Sequence, residues 1–348
     1  MLTELFLEMD GSMRDGSTSF ERKNQTILQR QPNTSAANMR RVGDVVNQFF
    51  LPGEEPELFA GVPDFPRYGL AGRHQLLAHL IGQLTTGGAH SFSTSGKGGV
   101  GKTALAVAVA HHKDLLAHFS DGVLWASLGP HGDPLLELSR WAEALSLDPA
   151  QYPKPGALKR VVKNAIGQRK LLLVLDDIWD AGQAALLRCG GPFCAHLLTA
   201  REKDIATGFA GSRENTLNVP NLKPDPAFTL LQTIAEDAVA AGEKAAQELL
   251  QRVGGLPLAV ELLGGFLSGG GAPDPRVFPE LDQERPQEPV DPSLRLKQAK
   301  VRLEANSGEG IKLDDLMALS LDGYDEDQTN SFYALGTFAP QPALFSRA

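Results

Sequence analysis

The chain has 348 residues, 42% of them hydrophobic and 22% charged, which is enough for about two or three globular domains. Its formal net charge of -9 argues against nucleic acid as a partner, because phosphate backbones are bound by an excess of Lys and Arg. The cysteines, Cys189 and Cys194, neither complete a zinc site nor form a disulfide framework. No run of about 20 apolar residues can cross a bilayer, and acids occupy the N-terminus where a secretory signal has bases. We therefore expect a soluble cytoplasmic protein without a membrane partner.

Residues 1–60 are predicted to form a weakly structured tail and linker. The first part is polar and lacks sustained periodicity, and the stretch from residue 51 is rich in Pro and Gly. The following segment, residues 71–84, has apolar residues at helical spacing.

Strand and helix patterns alternate from residue 89 to residue 220. Apolar strands are predicted at residues 89–95, 122–128, 170–180, 195–202 and 214–220. Helices are predicted at residues 102–119, 133–145 and 157–168, with Asp133 as an N-cap. Continuous apolar strands separated by helices indicate a parallel sheet covered on both faces. We therefore assign residues 61–220 to an α/β nucleotide-binding domain.

The strand patterns stop after residue 220. Helical patterns cover residues 225–241, 243–255 and 256–267, followed by a Gly/Pro/acid-rich break. We assign residues 221–292 to a helical bundle with a Gly/Pro-rich linker, and residues 293–348 to a further helical domain.

The sharpest motif is GKGGVGKT at residues 96–103, a full match to G-x-x-x-x-G-K-[ST]. Its glycines let backbone N–H groups turn toward phosphates, and the helix that follows adds its positive N-terminal dipole. Lys102 can reach the β- and γ-phosphates, and the Thr103 hydroxyl can ligate Mg²⁺. A strand before and a helix after the motif disfavour an empty Gly-rich turn. The residues expected to bind a purine nucleotide here are Gly96, Gly98, Gly99, Val100, Gly101, Lys102, Thr103 and Ala104.

Charged residues end two of the predicted strands. Asp176 closes an apolar strand, so its carboxylate can hold magnesium beside the phosphate loop. Asp177 can orient or deprotonate an attacking water, or it can cap a helix. Arg201 follows the next strand and can sense a γ-phosphate, or it can pair on the surface with the acids that follow it.

The order of GKGGVGKTALA, LLLVLDDIWD, LLTARE and GLPLA resembles the NB-ARC domain of the STAND nucleotide-binding switches. That family includes plant disease-resistance proteins, the apoptotic-protease-activating factor and bacterial STAND regulators, and the resemblance covers about residues 61–340. It aligns residues 70–73, Leu-Ala-Gly-Arg, with an upstream motif whose backbone borders the adenine, and so implicates Leu70. It also places Pro257 of the GLPL motif near the base and ribose, although Pro257 also suits the first position of a helix.

The resemblance implies an α/β P-loop domain, a helical bundle and a winged-helix domain, of which residues 293–348 would be the first part. It further implies a signalling switch that binds ADP at rest, hydrolyses ATP slowly with magnesium, and self-associates or binds protein partners when activated.

A second interpretation is a partitioning or division-site ATPase. In those proteins a deviant P-loop, KGGVGKT, carries a lysine at the position of Lys97 that reaches the nucleotide of a dimer partner. They usually begin at the P-loop and lack the TAR and GLPL segments, whereas about ninety residues precede the P-loop here. We therefore prefer the NB-ARC interpretation.

Overall fold

The computed structural model describes residues 58–85, 91–269 and 291–305. The tail up to residue 57 lies outside the described residues, and so does residue 306 onward, where most of the predicted winged helix falls.

A parallel sheet of six strands forms the centre of the α/β part. Its strand order is β1-β3-β4-β5-β2-β6, and the central strands are almost entirely buried, as expected when helices cover both faces. The predicted α/β fold is confirmed. The strands are β1 (Leu58–Ala60), β2 (Ser91–Ser95), β3 (Gly122–Ser127), β4 (Leu171–Ile178), β5 (Ala195–Ala200) and β6 (Thr216–Asn218).

Helices connect the strands and then continue alone. Those of the α/β part are α1 (His74–Thr85), α2 (Lys102–Ala110), α3 (Lys113–His118), α4 (Pro134–Ala144), α5 (Pro155–Ile166), α6 (Ala181–Leu187) and α7 (Lys203–Ala210). The later ones are α8 (Pro224–Ile234), α9 (Glu236–Ala241), α10 (Glu243–Val253), α11 (Pro257–Ser268) and α12 (Pro292–Ala305). None of the described helices is long and apolar enough to cross a membrane.

Side-chain caps determine where several helices begin. The predicted cap of α4 is confirmed, since Asp133 Oδ1 accepts the Leu135 N–H at 2.8 Å. Asp180 caps α6 by accepting the N–H groups of Gly182 and Gln183 at 2.7 and 2.9 Å. Asp177 lies before this helix and is not its cap.

Two predicted helices are each divided in two. The stretch 102–119 breaks after α2, where the His112 side chain accepts the Asp114 N–H and caps α3. The neighbouring His111 contributes to the break, because its Nε2 donates to the Pro63 carbonyl at 2.9 Å. The stretch 225–241 breaks at Ala235.

Residues 58–60, which the composition placed in the linker, form the edge strand β1 beside β3. This pairing depends on Gly122, because a Cβ atom there would lie 1.7 Å from the Leu58 carbonyl oxygen. Gly122 also has a φ of +119°, which other residues rarely adopt.

The helices after β6 enclose an apolar core of their own. Leu231 of α8 and Leu263 of α11 are fully buried in it, and α12 contributes Leu296 and Ala299. The α/β part and this helical bundle thus each have a packed interior.

Candidate functional site

The predicted phosphate loop lies between β2 and α2, at the carboxyl end of a strand that pairs with β5 and β6. Gly99 and Gly101 have left-handed φ angles of +73° and +91°, which allow the tight curl before the helix. Val100 is buried in the loop, and Ala104 lies in the first turn of α2. The strand–loop–helix setting required of a P-loop is therefore present.

Lys102 folds back over this loop. Its Nζ donates to the carbonyl oxygens of Gly96 and Lys97 at 2.9 and 3.0 Å, and the residue is 7% exposed. Burial lowers the pKa of Lys102, the charge of Arg201 lowers it further, and the nearby aspartates oppose both effects. Two cations therefore converge on the loop.

Asp176 and Thr103, the predicted magnesium pair, meet at the end of β4. Thr103 Oγ1 lies 3.0 and 3.1 Å from the two carboxylate oxygens of Asp176. Asp176 is 1% exposed, and burial raises its pKa to about 6, although hydrogen bonds from Thr199 and Thr103 and the charge of Lys102 oppose the shift. A hydroxyl and a carboxylate are the hard oxygen ligands that Mg²⁺ prefers.

A β-bulge presents both aspartates at this edge. The register of β4 against β5 shifts between Leu175 and Ile178, so that Asp176 and Asp177 lie together opposite Thr199. Asp177 has a φ of +51°, an uncommon value for a non-glycine residue. Bulges often redirect side chains next to functional sites.

Thr199 stabilises this bulge and is a site residue that the sequence analysis missed. Its hydroxyl donates to Asp176 Oδ1 at 2.6 Å and accepts the Asp177 N–H at 2.9 Å. The signal that pointed to it was its position at the end of a strand, two residues before Arg201.

Arg201 lies against the phosphate loop. Its Cζ is 4.6 Å from the centroid of the Trp179 ring, and its Nε is 3.9 Å from Asp177 Oδ1. A Cβ atom on Gly98 would lie 3.5 Å from the Arg201 Cζ, so the guanidinium lies beside the loop. The ion pair is therefore with Asp177 rather than with the acids that follow Arg201.

The helical bundle reaches the loop through the GLPL segment. Pro257 is the first residue of α11, and the next residue, Leu258, donates its N–H to the Gly99 carbonyl at 3.2 Å. The two residues also pack closely, since a Cβ atom on Gly99 would lie 2.9 Å from the Leu258 Cβ.

The upstream segment reaches the same loop. Leu70 is buried, and Arg73, 5% exposed, donates from one guanidinium nitrogen to the Val100 carbonyl at 3.1 Å and the Pro220 carbonyl at 2.5 Å. Pro220 lies two residues after the end of β6 and just before the bundle begins, so Arg73 joins the phosphate loop to the junction of the two parts.

Within the described ranges, no group of three or more His, Cys, Asp or Glu side chains is arranged to hold a metal ion. Any magnesium would therefore depend on Thr103, Asp176, nucleotide oxygens and water, as is usual for this ion.

Comparison with known proteins identifies a family. The model of the NB-ARC domain matches residues 73–240. Regulatory protein AfsR of Streptomyces griseus is 32% identical over 215 residues, which cover 59% of this chain and 21% of that protein. Disease resistance protein RPP8 of Arabidopsis thaliana is 29% identical over 237 residues, which cover 59% of this chain and 24% of that protein. The chain thus spans about a fifth to a quarter of the length of these curated relatives.

Proposed function

Residues 73–240 of this chain are an NB-ARC domain, a nucleotide-binding domain, and we propose that the chain works as an ADP/ATP-dependent signalling switch. In this proposal ADP occupies the resting state, ATP is hydrolysed slowly, and the ATP-bound form self-associates or binds a protein partner. The family match favours this function over a partitioning-type ATPase. The free, buried cysteines Cys189 and Cys194 agree with a cytoplasmic location.

The observation that carries the proposal is that carbonyl groups of the phosphate loop accept hydrogen bonds from the neighbouring parts of the protein. A P-loop turns its N–H groups toward phosphates, which leaves carbonyls for contacts with the protein. Here the Gly99 carbonyl accepts the Leu258 N–H of the bundle, and the Val100 carbonyl accepts Arg73 of the upstream segment. A ligand that changes the loop therefore changes contacts to both neighbours, and this differential interaction is what a switch requires.

The charges around the loop support a phosphorylated ligand. Lys102 and Arg201 repel each other beside the loop, and an anion bound near both would offset that repulsion. Thr103 and Asp176 are the residues that would hold magnesium, which when bound neutralises part of the phosphate charge. Leu70 and Pro257 would border the nucleoside, as the family resemblance implies.

Slow hydrolysis is consistent with the position of Asp177. This carboxylate would orient an attacking water, yet it lies 3.9 Å from Arg201, which competes for it. Phosphate-release measurements should therefore give turnover far below ordinary enzyme rates of about 10 per second. Turnover at that ordinary rate would instead favour a metabolic or motor ATPase.

Isothermal titration with ADP and magnesium tests nucleotide binding directly. Lys102→Ala removes a buried, phosphate-facing charge and should weaken ADP about 10- to 100-fold. Lys97→Ala is the matched control, because Lys97 is exposed in the same loop and should be replaceable with little loss.

Equal ADP affinity for wild type and Lys102→Ala would reject the assigned site.

Light scattering with ATP examines the alternative function. An ATP-induced dimer that Lys97→Ala abolishes would support the partitioning-type ATPase.

A further inference from the structure

We infer that Trp179 is a positioning residue, which holds the Arg201 guanidinium beside the phosphate loop and so lets the site distinguish a triphosphate from a diphosphate. The inference rests on the proposed function and on the role predicted for Arg201 from the sequence, that of sensing the γ-phosphate. It assigns to Trp179 a role that does not require the indole to touch the nucleotide.

The geometry of the pair carries the inference. The Arg201 Cζ lies 4.6 Å from the centroid of the Trp179 ring, within the range of a cation–π interaction. A free arginine side chain samples many rotamers, and ordering it costs conformational entropy. An aromatic face that restrains the guanidinium before the ligand arrives removes part of that cost from binding.

Trp179 is itself held by its neighbours. Its backbone N–H donates to Gln183 Oε1 at 3.1 Å. Gln183 is 7% exposed, and its Nε2 lies 3.4 Å from the carbonyl oxygens of Gly129 and Gly132. The backbone at Trp179 is thus fixed by α6 and by the loop after β3, while the residue as a whole remains 37% exposed to solvent.

Arg201 is held in a position from which it can meet a phosphate bound at the loop. Its guanidinium lies beside the loop at Gly98, yet half of the side chain stays accessible to a ligand. The charge of Arg201 also acts on Lys102, which reaches toward the β- and γ-phosphates in a P-loop. A third phosphate adds negative charge where both cations can meet it.

The competing role for Trp179 is an apolar cover over the end of the sheet. A cover would contribute to folding and to both nucleotides equally. A positioning role predicts instead a loss confined to the triphosphate, graded by how well the replacement preserves an aromatic face.

Two variants separate these roles. Trp179→Leu keeps apolar bulk but removes the aromatic face, and Trp179→Phe keeps a weaker face. In isothermal titration with magnesium, Trp179→Leu should bind ATPγS about 3- to 10-fold more weakly than wild type and ADP equally well. Trp179→Phe should fall between wild type and Trp179→Leu for ATPγS.

Tryptophan fluorescence gives a second readout, which should not respond to ATPγS if Trp179 is only an apolar cover. The chain has three tryptophans, and Trp125 and Trp141 are buried, so the difference between wild type and Trp179→Phe isolates the Trp179 signal. ATPγS should change this signal, ADP should change it far less, and Arg201→Gln should abolish the ATPγS response.

An unchanged ratio of ATPγS to ADP affinity in Trp179→Leu would overturn the positioning role while leaving the switch intact. Equal weakening of both nucleotides, with a lower unfolding midpoint, would assign Trp179 as a cover and also overturn it. Wild-type protein that binds neither nucleotide would instead reject the proposed function itself.

Discussion

Replacing Asp176 by Asn should stabilise the ligand-free protein at neutral pH while it weakens magnesium-dependent nucleotide binding. Burial raises the pKa of Asp176 from 3.8 to about 6, so the folded state holds this proton more tightly than the unfolded chain does. Protonated Asp176 therefore contributes fully to the stability of the folded protein below about pH 3.8, and this contribution is lost as the pH rises through about 6. At pH 7 the ionised carboxylate opposes folding.

The size of the effect follows from the pKa shift. At about 1.4 kcal/mol per pKa unit, the difference between 3.8 and about 6 costs roughly 3 kcal/mol at pH 7. The carboxylate is fully buried, so solvent screening does not reduce this figure. Asn has the same shape and keeps one oxygen to accept from Thr199 and Thr103. At pH 5 the gain from Asp176→Asn should fall to roughly 1.5 kcal/mol, because Asp176 is then mostly protonated in the folded wild-type protein.

Urea denaturation followed by circular dichroism between pH 5 and pH 8, with EDTA and without nucleotide, measures this gain. Asp148→Asn is the matched control, because Asp148 is exposed and Asn can replace it as the cap of the short helix Pro149–Gln151. The control should show no comparable pH-dependent gain. A loss of stability in Asp176→Asn at pH 7, or a gain of the same size at pH 5 and pH 8, would refute the reasoning.

Two further predictions concern packing and a buried imidazole. Gly99→Ala should destabilise the protein by about 1–3 kcal/mol, because the added Cβ would press on Leu258 and the φ of Gly99 is +73°. In urea denaturation, the double variant with Leu258→Ala should recover part of that loss. If the stability losses of the two single variants simply add in the double variant, the contact is contradicted. Burial lowers the pKa of His196 to about 3, so this group contributes stability above about pH 6.5 that is lost as the pH falls toward 3. His196→Gln should abolish about 2 kcal/mol of the stability loss between pH 7 and pH 5, and an unchanged loss in the variant would argue against a buried neutral His196.

The phosphate loop was predictable because its information is local. The spacing of Gly96, Gly101, Lys102 and Thr103 specifies the curl and the ligand groups within eight consecutive residues, and flanking apolar patterns specify the strand and the helix. The pairing of Thr103 with Asp176 also followed, since the carboxyl ends of all strands in a parallel sheet lie at one edge of that sheet.

Features that depend on register between distant strands were not predictable. The bulge that places Asp176 and Asp177 opposite Thr199 comes from how β4 and β5 align, which neither strand's pattern encodes alone. The edge strand β1 was missed for a similar reason, because residues 58–60 have the composition of a linker and pair only where Gly122 leaves room. The break after α2 depends on His111, whose partner Pro63 lies in that same linker.

Several features of this site are unfavourable in the ligand-free chain, and one ligand would relieve them. Asp176 is charged at neutral pH in a buried position, Asp177 has a strained φ, and Lys102 and Arg201 converge. A magnesium nucleotide would supply positive charge beside the carboxylate and negative charge between the cations, so part of its binding free energy would appear as added stability of the folded protein. Because the loop's carbonyls also bind the bundle and the upstream segment, that added stability would extend beyond the α/β part. In the proposed switch, the electrostatic cost at this site would be the physical basis on which phosphate binding biases the arrangement of its neighbours.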